Sequence, residues 1–351
     1  MNINTLNTLG LDTIDEKFII LEPVSGGQGS RGFFGQNIAT GEAVFIKLLL
    51  FPRSLTEVSR FKHEIHALEW FAKLPSSPVP KIIAHGELHD GEILYLITEK
   101  IEGELLSNWI LDKAQESTPD QKLEIFHRVT SALASCTFFD HMDLHPGNII
   151  LTNNDPNWVT PGVPESAVTI LDWGQCYNPR MVGYEDTPDF ITHLNDRIPK
   201  ELTGSFYSTP PEVFQPWENT LYNPTKYDAW SLGLLFFKIM TQRDLLSFSG
   251  IGNFVESLYS GKLQKTIQQG ALELEDLFSQ KNLLIHLLFY KLTKVNPSAR
   301  IGAGEASRIL WDMRIEDFSP KNLSEALTYI KNPFDFRPPG GWTHSDWPDY
   351  D

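Results

Sequence analysis

His141-Met142-Asp143-Leu144-His145-Pro146-Gly147-Asn148 runs into the apolar Ile149-Ile150-Leu151 and is answered downstream by Val168-Thr169-Ile170-Leu171-Asp172-Trp173-Gly174. Two short apolar runs joined by a polar, proline-containing connector predict a β-hairpin. Its closure gathers Asp143, Asn148 and Asp172 into one pocket. A carboxylate and an amide five positions apart, with a second carboxylate returning at the end of the next strand, suit a particular task. One group orients a hydroxyl while the other two hold Mg²⁺ against phosphate oxygens. His141 and His145 also stand four apart, a spacing that serves metal ligation on a helix, but Pro146-Gly147 disfavours a helix here.

Bulk properties narrow the field. With 351 residues the chain is long enough for two domains or one bilobal unit with a sizeable core. A formal net charge of −16 argues against a binder of phosphate backbones, which needs clustered Lys and Arg, so nucleic acid is not an expected partner. Cys136 and Cys176 are the only cysteines; they form neither a CxxC pair nor a disulfide framework, and a reducing cytoplasmic location is expected. No apolar run reaches the roughly 18 residues of a membrane helix. Met1 to Glu16 is polar with acidic residues, unlike a signal segment. A soluble, unprocessed chain with no membrane partner is expected. The strongest apolar block, Leu283-Leu284-Ile285-His286-Leu287-Leu288-Phe289-Tyr290, has the length of a buried core helix.

Upstream of the hairpin, Lys17-Phe18-Ile19-Ile20-Leu21 reads as a strand entering a glycine-rich turn, with GxGxxG spacing at Gly27, Gly29 and Gly32. Such a turn lets backbone amides approach phosphates; taken alone it is equally a glycine-rich hairpin. A second strand follows instead of the helix that a dinucleotide fold requires, and leads through Thr40-Gly41 to Ala43-Val44-Phe45-Ile46-Lys47. Taken alone, Lys47 reads as a snorkelling edge lysine. The segment from Leu55 to Leu74 is helical in pattern, with Val58, Phe61, Ile65 and Leu68 at spacings of three or four. Glu64 falls among them and is expected to point inward. After Pro75, Pro78 and Pro80 comes the strand Ile93-Leu94-Tyr95-Leu96-Ile97-Thr98, and helices are expected over about 104–116 and 119–138.

H-M-D-L-H-P-G-N and D-W-G resemble the catalytic loop H-R-D-L-x-x-x-N and the D-F-G segment of the protein kinase superfamily. The resemblance extends over about residues 20–310. Gly204 to Glu212 is similar to the G-T-x-x-x-x-A-P-E end of an activation segment, Asp228-Ala229-Trp230-Ser231-Leu232-Gly233 to the start of the central C-lobe helix, and Asn296-Pro297-Ser298-Ala299-Arg300 to the segment whose arginine pairs with the A-P-E glutamate. It implies an α+β bilobal fold, with a strand-rich N-lobe over 17–101, a mainly helical C-lobe over 102–332, a lead at 1–16 and an aromatic, acidic tail at 333–351. It implies Asp143 as catalytic base and Asn148 and Asp172 as metal ligands. Lys47 contacts phosphates and pairs with Glu64; Gly27, Gly29 and Gly32 cover the phosphates. Thr98 becomes the gatekeeper, and the backbone of Glu99 and Ile101 holds adenine. The cofactors implied are ATP and Mg²⁺, with Mn²⁺ as a substitute. The activity implied is that of a serine/threonine protein kinase, Ser205 standing near the catalytic aspartate, and Glu212 and Arg300 should form a buried ion pair.

The chain also departs from that pattern. Met142 replaces the arginine that clamps a phosphorylated activation segment, so activity should not depend on a phosphate at Thr187, Thr192, Thr203 or Ser205 unless Arg180 or Arg197 takes over. His145 replaces a lysine, and D-L-H-P-G-N resembles small-molecule phosphotransferases, whereas P-P-E, D-A-W-S and Arg300 favour a protein substrate, itself unidentified. A pseudokinase scaffold is the nonenzymatic alternative. Phe45 shares a strand face with Lys47, which puts its ring over the adenine position; it is expected to tuck toward the small Thr98. In the tail, Phe334, Phe336, Trp342 and Trp347 make either a strap on the C-lobe or a docking peptide. Oligomeric state is not set by any of these features.

Overall fold

The computed structural model describes residues 6, 11–24, 30–74, 77–136, 139–152, 167–177, 208–214, 226–277, 283–314, 319–321 and 323–331. Its N-terminal part is a six-stranded antiparallel sheet in the order β1-β2-β3-β4-β6-β5, made by β1 (Thr13–Ile14), β2 (Phe18–Pro23), β3 (Arg31–Asn37), β4 (Ala43–Leu50), β5 (Ile82–Leu88) and β6 (Ile93–Glu99). Period-two alternation divides β4 between two faces. Val44, Ile46 and Leu48 enter an apolar cluster with Phe18, Ile20, Phe33 and Ile97, while Phe45 and Lys47 turn to the other face, toward the C-terminal part. Leu6, Leu11 and Ile14 complete that cluster. The N-lobe core therefore reaches back into the stretch expected to be a polar lead, whose scattered apolar residues carry no periodicity of their own.

The helix α1 (Leu55–Phe71) starts where the Ser54 hydroxyl accepts the Glu57 N–H, a side-chain cap on one of the orphan donors of the first turn. Phe61, Ile65, Leu68 and Phe71 are buried, and Glu64 is carried inward with them. The helix ends at Phe71 and not at Leu74, the chain turning off as the Leu74 N–H donates to the Phe71 carbonyl.

The hairpin is present as β8 (Ile149–Leu151) and β9 (Val168–Ile170), antiparallel with Ile149 opposite Ile170. A third strand, β7 (Glu104–Leu105), pairs on the other side of β8. This corrects the helix expected over about 104–116: Glu104 and Leu105 are drawn into the sheet, and α2 is shortened to Leu106–Asp112. Next, α3 (Pro119–Ser135) opens with a capping box between Thr118 and Gln121 and with proline at its first position, both favourable at a helix start. It stops three residues short of 138. The remaining helices are α4 (Tyr227–Thr241), α5 (Ile251–Tyr259), α6 (Lys262–Leu277), α7 (Leu283–Leu292), α8 (Ala303–Arg314) and α9 (Leu323–Lys331). The apolar block lies in α7, with Leu284, Ile285, Leu287, Leu288 and Phe289 buried. One cluster runs from α1 through Trp173 to Trp230 and Phe236 of α4, so the two lobes share a core. No helix among the described residues is long and apolar enough to cross a membrane. Most of the activation segment and the aromatic tail lie outside the described residues.

The pairing expected for Glu212 and Arg300 is present. Both side chains are buried, and the guanidinium meets the carboxylate as a fork, Nη1 to Oε1 and Nη2 to Oε2 at 2.6 Å each. Arg300 also donates to the carbonyls of Lys294 (2.6 Å), Lys226 (3.1 Å) and Val295 (3.2 Å). Removing one partner of such a pair strands the other charge. Arg300→Met is accordingly expected to cost about 3–5 kcal/mol in urea unfolding, and adding Glu212→Leu should recover a large part of that loss.

Candidate active site

The loop that carries Asp143 is pinned from below by α4. Asp228, in the first turn of that helix, accepts the backbone N–H of His141 (2.5 Å) and of Met142 (2.9 Å). Met142 is thereby held in the left-handed region, at φ +64°. The buried His141 ring accepts the Asp143 N–H at Nδ1 (3.2 Å) and donates from Nε2 to the Leu171 carbonyl (2.7 Å). That pattern fixes a neutral imidazole with its proton on Nε2, and burial lowers its pKa from 6.5 to about 4. Both ring nitrogens are engaged, which leaves this histidine no lone pair for a metal.

Asn148 ties the loop to the next strand. Its side-chain amide donates to the Asp143 carbonyl (3.0 Å), and its own carbonyl accepts the Leu171 N–H (2.8 Å). Asp172 follows in a left-handed conformation, φ 59° and ψ 67°, a region that Asp tolerates better than most residues. This swings its carboxylate to Lys47. The ammonium lies 2.6 Å from Glu64 Oε2 and 2.8 Å from Asp172 Oδ1. Burial works against the charge on Lys47, but Asp172 and Glu64 outweigh it and raise its pKa. Lys47 in turn holds the Asp172 carboxyl below its ordinary range. Glu64 is nearly sealed from solvent whereas Asp172 is half exposed, so Asp172 is the partner open to further ligands.

Lys47, Glu64, Asp143, Asn148 and Asp172 are thus brought to one cleft. Gly32 lies opposite Lys47 across β3 and β4; Gly27 and Gly29 lie outside the described residues. Glu99 ends β6, donating its N–H to the Lys81 carbonyl (3.0 Å), and Ile101 follows where the chain crosses to the C-lobe. Thr98 is buried directly opposite Phe45. Phe45 itself requires a correction: its ring leans toward β3, not toward Thr98. A Cβ on Gly32 would stand 2.9 Å from Phe45 Cζ, so the missing side chain of Gly32 creates the slot that the ring fills. Phe34, the cross-strand partner of Phe45, meets it edge to face at 6.2 Å, and the Lys100 ammonium lies 5.0 Å from the Phe34 ring centre.

Sequence reasoning missed two more groups. Gln175 donates to Asp143 Oδ2 (3.2 Å); it stands alone in a short turn, with no motif to mark it. Phe34 could have been found from the register of the Gly32 hairpin, which sets it across from Phe45.

A family model of the protein kinase domain matches residues 20–311. The chain belongs to the protein kinase family. Among the curated proteins compared with it, none matches. As a protein kinase domain it is a kinase-type phosphotransferase, of a family that uses ATP and a divalent metal. No cluster of three or more His, Cys, Asp or Glu among the described residues could hold a metal. A kinase does not require one, because Mg²⁺ held against phosphates takes only one or two protein carboxylates.

In this kinase domain the buried, neutral His141 makes stability depend on pH. Its pKa is about 4 folded against an ordinary 6.5, so between those values the unfolded chain binds the extra proton. Its contribution is complete above pH 6.5 and is lost as the pH falls toward 4, at up to about 1.4 kcal/mol per unit. In urea unfolding at pH 7, 6 and 5, wild type should lose more stability on acidification than His141→Gln, the two slopes differing by up to about one proton.

Proposed function

We propose that this chain is an ATP-dependent serine/threonine protein kinase. The observation that supports it most is the convergence of Lys47, Glu64, Asp143, Asn148 and Asp172 on one cleft between a β-lobe and a helical lobe. The donor set fits the group it would receive: a half-exposed carboxylate on Asp172 and an amide oxygen on Asn148 are hard oxygen ligands suited to Mg²⁺, with Mn²⁺ as a substitute. Bound Mg²⁺–ATP supplies the phosphoryl group. Asp172 and Asn148 would hold the metal. Lys47 donates to phosphate oxygens, and Glu64 keeps the ammonium aimed and charged. Gly27 and Gly29 would let the backbone approach the phosphates, while Gly32 makes room for the Phe45 ring, and the backbone of Glu99 and Ile101 would take the base. Asp143, steadied by Gln175, accepts the proton of the substrate hydroxyl.

A protein acceptor is favoured by the Glu212–Arg300 pair, which resembles the anchor of a peptide-substrate platform. Ser205, which motivates serine and threonine as acceptors, lies outside the described residues. A second reading, a nucleotide-binding scaffold without turnover, draws on the Phe34–Phe45 pair, which stands on the strands beside Lys47.

Radiolabelled ATP with Mg²⁺ and generic protein substrates separates these readings. Wild type should label serine or threonine, and Asp143→Ala should lose about 10²–10⁴ of the rate with nucleotide affinity intact. Asp172→Asn, which keeps a residue tolerant of the left-handed backbone, should lose both transfer and Mg²⁺-dependent nucleotide binding. Nucleotide binding without any transfer by wild type would select the scaffold.

The position of Met142 bears on regulation. Its side chain is buried with Val213 and Tyr227, and Phe214 and Tyr177 pack on the group. Apolar contact thus holds the end of the activation segment where other kinases use an arginine and a phosphate. Phosphatase-treated enzyme should keep its initial rate with no lag on adding ATP; a lag would assign a phosphate clamp to another basic residue, with Arg180 and Arg197 as candidates.

A further inference from the structure

A cavity of about 340 Å³ opens beside the catalytic loop, between that loop, Ser208 and α4. Leu144 and His145, which line it, directly follow Asp143. An extended peptide advances about 3.3–3.6 Å per residue, so residues flanking an acceptor held at Asp143 would run past Leu144 and His145. Gly147 in the wall has no side chain to fill it.

Two side chains of the cavity, His145 and Lys238, have donors to offer a ligand. His145 Nδ1 accepts the Gly147 N–H at 3.1 Å, so the neutral ring carries its proton on Nε2 as a donor. Lys238 gives one of its three N–H bonds to Asp244 Oδ1, at 2.9 Å. The Ser231 hydroxyl donates to the Ser208 carbonyl at 3.0 Å. Asp244 is the one acidic side chain in the lining, and it is the outermost: its side chain is 62% exposed against 32% for Lys238. An exposed ion pair of this kind is weak, so an incoming carboxylate exchanges one partner of Lys238 for another and strands no charge.

We propose that Lys238 and His145 form a subsite for an aspartate or glutamate next to the acceptor residue, which makes this an acid-directed protein kinase. This rests on the protein-kinase reading above. The chain's net charge of −16 opposes acidic peptides at long range, but that repulsion is screened beyond about 8 Å at physiological salt, while the contact inside the cavity is not.

The test is a set of peptides around one serine, varied at each flanking position, with the purified full chain and Mg²⁺–ATP. The readout is the ratio of kcat/KM for an acidic over an alanine peptide. One position should favour Asp or Glu about ten-fold in wild type. Lys238→Met should bring that ratio close to one, and Asp244→Asn, which frees Lys238 of its internal partner, should raise it. Phosphorylation with no acidic preference, or a preference that neither substitution moves, overturns the subsite and leaves the protein-kinase reading standing. Failure to phosphorylate any peptide or protein, with small alcohols accepted instead, overturns both.

Discussion

One ammonium group joins three parts of the chain. Lys47 comes from β4, Glu64 from α1 and Asp172 from the end of the hairpin in the other lobe, and both carboxylates lie within 3 Å of Nζ. A charge this buried is stable only while it is paired, so the position of any one of the three elements constrains the other two. Apolar contacts beneath the triad repeat the constraint. Trp173 packs on Phe71 of α1 (4.6 Å between centroids) and on His141 of the catalytic loop (4.7 Å). His63, on α1, donates from Nε2 to the Cys176 carbonyl at 2.7 Å. A shift of α1 would break an ion pair, an aromatic contact and a buried hydrogen bond together.

The C-lobe holds its side of the cleft by a different means. Asp228 spends its carboxylate on two backbone N–H groups, and burial still raises its pKa to about 6. The two left-handed residues of the site, Met142 and Asp172, are each fixed by such a contact: Met142 through Asp228, Asp172 through Lys47. Unusual backbone conformations persist where the surroundings over-determine them. Here the surroundings are one carboxylate from α4 and one ammonium from β4, so the geometry of the site is built from both lobes.

Much of this was legible in the sequence because it follows from short-range periodicity. The hairpin follows from two apolar runs and a proline turn, the inward aim of Glu64 from spacings of three and four, and the shared face of Phe45 and Lys47 from a period of two. The pairing of Glu212 with Arg300 was legible from the order of motifs. The rest depends on what lies across the fold. The lean of Phe45 is decided by the absent side chain of Gly32 on the neighbouring strand, β7 exists only because Leu151 and Ile150 offer it an edge, and Leu6 and Leu11 are recruited by a sheet face that forms later in the chain. Gln175 and Lys238 gain meaning only from their distance to Asp143 and to the cavity beside it.

At Met142 the kind of force that meets the 211–214 turn is apolar contact. An arginine there would make the end of the activation segment respond to a phosphate, and the contact would weaken with salt. Methionine among Val213, Tyr227 and Phe214 makes an apolar contact instead, which does not depend on a charge. The same exchange leaves the buried carboxylates of Asp140 and Asp228 without an arginine at position 142. Burial first, and then Asp228, raise the pKa of Asp140, with Lys226 acting against them. At Asp228 burial is opposed by the His141 and Met142 N–H groups that its carboxylate accepts, so the charge of the acid that pins this loop is set by burial and by the loop's own backbone.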